Sequence, residues 1–382
     1  MKPVLPVGFH QFSKNNFFNY QLNRWYALGY TRLADIQEAG RRIVTVQDYK
    51  REFIGLAQVA TRENRLQNAA FYYRAAEFLT RPQDADKVPL YQKFQDTFYE
   101  GFREENIQRN SIQYSDGFLS AMRLSPAGGQ PKKGTVVIHG GFDSFIEEFF
   151  CFWKYFSEIG YEVIAFDGPG QGATHRIHGL AHDHDWEKPV GAVLDHFGLD
   201  DVTLLGISFG GYWCVRAAAF EKRIKRLIVN PPLYDLLAEH PAIVKSMVWS
   251  MMRAERFMNW SIRFRMQRFP IIEHVVNQCL YINNKLDSEP IAAAHWLLAM
   301  NEAHLHSELV DQDVLLLAGE KDRFQSVKLY HKQKEALKNA RSITGRVFTK
   351  AEHAENHCQM GNLGLALNVM GQWLDEKTRG VS

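Results

Sequence analysis

The chain has only four cysteines in 382 residues, and Cys151, Cys214, Cys279 and Cys358 lie far apart. That scarcity argues against a disulfide-stapled fold, and the lack of close pairs argues against a structural zinc site or a redox dithiol. Long apolar runs are missing too, so no segment reads as a membrane span. Met1 to His10 lacks a charged stretch followed by a long apolar one, which leaves a cytoplasmic protein with reduced thiols as the expectation. An excess of one charge is also absent: 45 Lys and Arg face 43 Asp and Glu, for a formal net charge of +2. A nucleic-acid surface normally announces itself as a concentrated basic excess, so no nucleic-acid partner is expected. With 46% hydrophobic and 23% charged residues the chain is neither disordered nor fibrous.

What is present is enough chain for a catalytic core with added parts. From Gln11 to about Tyr99 apolar residues recur at three- and four-residue steps, as in Ala69, Tyr72, Tyr73, Ala76 and Leu79. This spacing predicts a helical N-terminal region, assigned to residues 1–110. Asn64 to Leu79 has a faint tetratricopeptide character, but no second copy follows at the required period. After Ser111 short β-rich runs alternate with helical segments: Gly134 to His139, Tyr161 to Phe166, Val202 to Leu205, Arg226 to Val229, Val314 to Leu317 and Gly345 to Phe348. Several are continuously apolar, as strands covered on both faces must be, so an α/β core with a mostly parallel sheet is expected over 111–235 and 308–382.

Between them, over 236–307, strand signals stop. Met247, Trp249, Met251, Met252, Phe257, Met258, Trp260, Phe264 and Met266 crowd a helical segment that also carries Arg253, Arg256, Arg263, Arg265 and Arg268. Its place between two core strands marks it as a cap above the sheet. Flexible methionines and aromatics suit an adaptable wall for an apolar ligand, and a helical pair packed on the core is the plainer alternative. The arginines do not fall clearly on one face, which speaks against a membrane-surface role.

The central signal is Leu204-Leu205-Gly206-Ile207-Ser208-Phe209-Gly210-Gly211, a G-x-S-x-G sequence directly after an apolar strand and before the helical run Tyr212 to Phe220. In such an elbow the serine occupies a strained turn, and glycines stand where a β-carbon would clash. The hydroxyl then lies at a helix N-terminus, which favours developing negative charge. An acyl-transfer site also needs two backbone N–H donors for the oxyanion. One follows from the residue after the nucleophile, Phe209. The second is assigned to Phe142, because Val136-Val137-Ile138-His139-Gly140-Gly141-Phe142-Asp143 is a strand followed by paired glycines that can turn the backbone towards the serine.

Serine needs a histidine to accept its proton, and the histidine needs a carboxylate to orient it. In the chain order of a nucleophile elbow the acid comes next and the histidine last. Leu315-Leu316-Leu317-Ala318-Gly319-Glu320-Lys321-Asp322-Arg323 ends a buried strand in a polar turn, and Asp322 is chosen over Glu320 and Asp313. Glu320 directly follows the strand end, and Asp313 precedes the strand. His353 and His357 both follow the final strand, and their spacing separates them only slightly in favour of His357. His175, His178, His182 and His184, with Asp183 and Asp185, suggest metal ligands at first sight. They follow a Gly-rich turn in an expected loop and lack the spacing of a zinc site, so neither metal nor cofactor is assigned.

Four stretches together resemble a family: Gly140-Gly141-Phe142-Asp143-Ser144 with Glu147-Glu148, the turn Asp167-Gly168-Pro169-Gly170-Gln171-Gly172, the elbow around Ser208, and His357-Cys358 followed by Asn362-Leu363-Gly364. The chain resembles α/β-hydrolases with a helical N-terminal region, the group that includes bacterial dihydroxy-pseudo-oxynicotine hydrolase and fungal pigment-pathway hydrolases that shorten polyketides. The resemblance implies the α/β-hydrolase fold. It favours His357, which precedes the cysteine as in the family, and supports Asp322. It also implies an acidic residue at the active site where Asp143 stands, although Asp143 is shorter than the family's glutamate. Asp143 is therefore either an auxiliary or substrate-binding acid or the holder of an Asx-type loop bond.

The expected activity is hydrolysis of a small, largely apolar or aromatic substrate through an acyl-enzyme, at an ester, a thioester or a carbon–carbon bond next to a ketone. A peptidase of the acylaminoacyl type and a non-catalytic module holding a small ligand are the alternatives. Oligomeric state is not written in the sequence, and a homodimer is left open.

Overall fold

The computed structural model describes residues 4–379. Five helices come first: α1 (Asn16–Ala27), α2 (Leu33–Arg42), α3 (Val46–Arg62), α4 (Leu66–Leu79) and α5 (Lys87–Gly101). Local chemistry sets their ends. Asn15 accepts from the first free amides of α1, and Thr45 with Asp48 forms a reciprocal capping box on α3. Every residue of α4 from Ala69 to Leu79 is buried, so this helix is the axis of the bundle rather than an amphipathic surface element.

The chain then passes through β1 (Gln108–Tyr114), β2 (Gly117–Leu124), β3 (Thr135–His139), α6 (Phe150–Glu158), β4 (Glu162–Asp167), α7 (Gly172–His178), α8 (Glu187–Phe197), β5 (Val202–Ile207), α9 (Gly210–Phe220) and β6 (Ile224–Asn230). Four helices follow without a strand: α10 (Ala242–Arg253), α11 (Glu255–Arg268), α12 (Pro270–Ile282) and α13 (Ile291–Ala299). The short α14 (Glu302–Leu305) leads to β7 (Asp313–Gly319), α15 (Val327–Ala336), β8 (Ser342–Phe348) and α16 (Leu363–Arg379).

The eight strands make one sheet in the order β1-β2-β4-β3-β5-β6-β7-β8. β3 to β8 run parallel, while β2 lies antiparallel to both β1 and β4. β1 and β2 are the strands the apolar pattern does not announce. β1 reads Gln-Arg-Asn-Ser-Ile-Gln-Tyr and buries only Ile112, as befits an edge strand that must not invite further pairing. It also starts at Gln108, inside the stretch assigned to the N-terminal helices.

Both faces of the central strands are covered. Val136 and Ile138 join one apolar cluster with α1 to α6 and α16, whereas Val137 joins another with α8, α9, α12 and α13. The period of two along each strand thus divides the core. The N-terminal helices share their cluster with one face of the sheet, while α8, α9 and α15 share theirs with the other, where α12 and α13 join them.

Candidate active site

Ser208 follows β5 and opens the approach to α9. Its φ of +60° is a left-handed value that costs energy for any residue with a β-carbon. Two bonds hold it there: the Ser208 amide donates to the Asn230 carbonyl at 2.7 Å, and the Gly211 amide donates to the Ser208 carbonyl at 2.8 Å. A β-carbon on Gly206 would stand 2.0 Å from the Gly210 carbonyl oxygen, and one on Gly210 would stand 2.7 Å from the Gly140 carbonyl oxygen. Close backbone approach, not a special φ, requires these two glycines.

Ser208 Oγ lies 2.8 Å from Nε2 of His357, and Nδ1 of His357 lies 2.7 Å from Oδ2 of Asp322. The other oxygen of Asp322 accepts from the amides of Phe324 and Gln325 at 2.8 and 2.9 Å, so the turn after β7 fixes the carboxylate before it meets the ring. Burial disfavours a charged imidazole at His357, but the Asp322 carboxylate and then the Cys358 thiol outweigh it and hold the ring well above the ordinary histidine value of 6.5. His353, the competing histidine, follows a short helical turn and does not line the cavity beside Ser208. Of the competing acids, Glu320 accepts from the Lys350 amide, and Asp313 opens β7 at the far end, bonded to Ser342 and Lys377.

The loop after β3 lies directly against the elbow: a β-carbon on Gly141 would be 3.1 Å from Cβ of Ser208 and 3.3 Å from the Phe209 nitrogen. Among the described residues, the amides of Phe142 and Phe209 donate to no protein acceptor. Gln171, which the sequence offers only as part of a turn, donates through Nε2 to the carbonyls of Gly140 and Gly141, both at 2.8 Å. Gln278 of α12 donates to the Phe142 carbonyl at 3.0 Å. Both side chains hold the loop by its carbonyls.

Asp143 meets His274 of α12, with Nε2 3.3 Å from Oδ2, and Arg24 of α1 lies 4.0 Å from its other oxygen. Burial would raise its pKa, but the His274 hydrogen bond and the charges of Arg24 and Arg74 bring it down to about 2. Behind it runs a buried ionic network. Glu148 accepts from Arg24 at 2.8 Å and from Arg74 at 2.6 Å, Arg74 also donates to the Asp143 carbonyl, and Glu77 bonds Arg74, Arg176 and Lys87. Asp143 and Glu148 belong to a motif that carries the resemblance, but no sequence pattern marks their partners Arg24, Arg74, Glu77, Lys87, Arg176 or His274, which come from separate segments.

A cavity of about 250 Å³ joins these groups. Ser208, His357, Phe142, Phe209 and Asp143 line it together with Tyr20, Gln21 and Arg24 of α1, and with Ile271, His274 and Val275 of α12. The methionine-rich wall, one of the two readings of this stretch, is not there. Met247, Trp249, Met251, Phe257, Trp260 and Phe264 are exposed on α10 and α11, and the cavity is closed instead by α12 and by Leu297 of α13. Which helix of an all-helical insertion faces the sheet is decided by tertiary packing, and composition carries no information about it. The histidine-rich stretch also differs from expectation, since His175 and His178 lie on α7 rather than in a loop. His182 packs its ring 4.8 Å from Trp213 and accepts from Trp296, an aromatic environment that burial keeps uncharged.

Two solved structures share this architecture over nearly their whole length. The crystal structure of the 2,6-dihydroxy-pseudo-oxynicotine hydrolase aligns with a TM-score of 0.63 and 19% identity, covering 92% of this chain and 94% of that one. A structure titled AbyA5 Wildtype aligns at 0.67 and 15% identity, covering 96% and 100%. The chain has the α/β-hydrolase fold. A family model described as alpha/beta hydrolase fold matches residues 135–285. Hydrolyase poxO of Penicillium oxalicum is 28% identical over 266 residues, 59% of this chain and 63% of that protein. Alpha/beta hydrolase psoB of Aspergillus fumigatus is 32% identical over 158 residues, 34% of this chain and 35% of that protein. The chain therefore spans less than two thirds of the length of these fungal hydrolases. No described helix is long and apolar enough to cross a membrane.

Proposed function

We propose that the chain is a serine hydrolase that opens a carbonyl-centred bond of a small, largely apolar or aromatic substrate through an acyl-enzyme on Ser208. The observation that carries this reading is the continuous chain of contacts from Ser208 Oγ through His357 to Asp322 at the wall of a mainly apolar cavity. In the first step Ser208 Oγ bonds to the carbonyl carbon while its proton passes to His357 Nε2. The Phe142 and Phe209 amides receive the oxyanion. Collapse returns the electron pair to the carbonyl and expels the leaving group, which takes the proton from His357. Water, activated by the same ring, then releases the acid.

Ester or thioester cleavage needs no more than these groups. Cleavage of a carbon–carbon bond next to a ketone, which the motif resemblance implies, leaves an enolate that must be steadied and protonated. The Asp143–His274 pair on the cavity wall favours keeping this second reading. The named activity of the pseudo-oxynicotine hydrolase and the hydrolase names of the fungal relatives support the same reaction class. A rate panel of ester chain lengths beside aromatic β-diketones tests the proposal. Turnover of at least one series that disappears in Ser208→Ala is expected, and turnover that survives the substitution would refute the mechanism.

A further inference from the structure

Eight of the nineteen exposed large apolar side chains among the described residues lie between Ile243 and Phe269, on α10, α11 and the corner before α12. Scattered single exposures need no explanation, but a contiguous patch of aromatics does. On α11, Phe257, Trp260 and Phe264 are 53%, 63% and 58% exposed and their rings run in contact, 5.9 and 6.1 Å between successive centroids. At about 100° per residue these three fall within about 60° of one another on the helix surface. Arg256 and Arg263 lie on one flank of that stripe and Arg265 on the other, all exposed. The arginines do not fill a face of their own, as a strictly two-sided helix would have them. They border an apolar strip that points to water.

Charge says what would cover it. From Lys245 to Arg268 six cations, Lys245, Arg253, Arg256, Arg263, Arg265 and Arg268, stand against the single carboxylate Glu255, in a chain whose net charge is only +2. Glu289 from the neighbouring loop pairs with Arg263 at 2.7 Å, which leaves most of the excess free. A partner must therefore offer apolar depth at the centre and negative charge at the rim. The surface of an anionic lipid layer offers both, since rings enter the boundary between headgroups and acyl chains while guanidinium groups meet phosphates.

We propose that α10 and α11 dock this protein on an anionic lipid surface. Phe269 alone separates α11 from α12, the helix that supplies Ile271, His274 and Val275 to the cavity wall, so docking would bring lipid beside the wall of the site. An enzyme for apolar substrates gains from such a position, and this consequence rests on the hydrolase reading. The docking itself does not.

Flotation of the full chain with vesicles of phosphatidylcholine, with or without one third phosphatidylglycerol, tests the proposal. Binding to the anionic vesicles should weaken steadily with added salt. It should fall at least about tenfold in Arg256→Glu/Arg265→Glu and be lost in Trp260→Ser/Phe264→Ser, both with unchanged circular dichroism and unchanged turnover of a soluble ester. Equal binding to neutral vesicles, or binding untouched by either double variant, would overturn it. So would a dimer in solution that Trp260→Ser/Phe264→Ser dissociates in a protein that ignores vesicles, because the patch would then belong to a second copy. If Ser208→Ala floats like the parent chain, docking stands whatever the fate of the hydrolase proposal.

Discussion

Two histidine–carboxylate pairs face the same cavity, and they are held in opposite ways. His357 and Asp322 both sit on turns that follow parallel core strands, and Asp322 is fixed by two amides of its own turn. His274 and Asp143 come from an inserted helix and from the loop after β3, with Arg24 of α1 as the third member. The first pair is set once the sheet has formed. The second exists only when the N-terminal helices and the insertion have both closed on the core, and its contact is longer, 3.3 Å against 2.7 Å. On the proposed mechanism the pairs differ in role: the core pair, which touches the serine, carries proton transfer, and the assembled pair positions substrate.

The largest effect should come from removing what the core pair serves. Ser208→Ala is expected to lower kcat by about 10⁶, measured with the best ester of the panel. Asp322→Asn should cost about 10⁴ in kcat and also move the pH profile. With Asp322 present, kcat/KM should rise with pH along a limb lying above 6.5, because His357 must lose its proton to act and its pKa is held high. Without the carboxylate, burial prevails and the limb should shift to lower pH. If the limb of the parent enzyme lies at or below 6.5, the role given to Asp322 is contradicted.

The assembled pair should answer more mildly. His274→Gln is expected to reduce kcat/KM by about a hundredfold at most, and more for a β-diketone than for a simple ester. Equal losses on both would reduce His274 to a packing residue and erase the contrast between the pairs. Support for this side of the cavity can be broken without touching it. Glu148→Gln leaves Arg24 and Arg74 without their shared buried partner and should cost about 3–5 kcal/mol of stability, read by denaturant unfolding. Exposed Trp260→Ser/Phe264→Ser should change stability by only about 0.5 kcal/mol.

The division between core and additions also explains what could be read in the sequence. Ser208 and Asp322 sit just past strand ends, so a local pattern of apolar run and turn located them, whereas His357 lies beyond a short helical turn after β8, where chain order left two histidines and the resemblance separated His357 from His353. The central parallel strands were legible because burial on both faces writes a largely apolar run. β1 was not, since an edge strand is polar by necessity. Gln171, His274 and Arg24 were invisible as site residues because their positions depend on packing between segments far apart in the chain. The aromatic and methionine residues of α10 and α11 were legible as a group, but their direction was not, and most of them face water while none lines the cavity.

The central claim is that Ser208 is a nucleophile activated by His357. Treatment of the native protein with a fluorophosphonate and mass spectrometry of its peptides tests it most directly. The account predicts a single covalent adduct on Ser208, formed faster as pH rises through the titration of His357 and absent in Ser208→Ala. A folded protein whose Ser208 stays unmodified while a control serine hydrolase is fully labelled would contradict it.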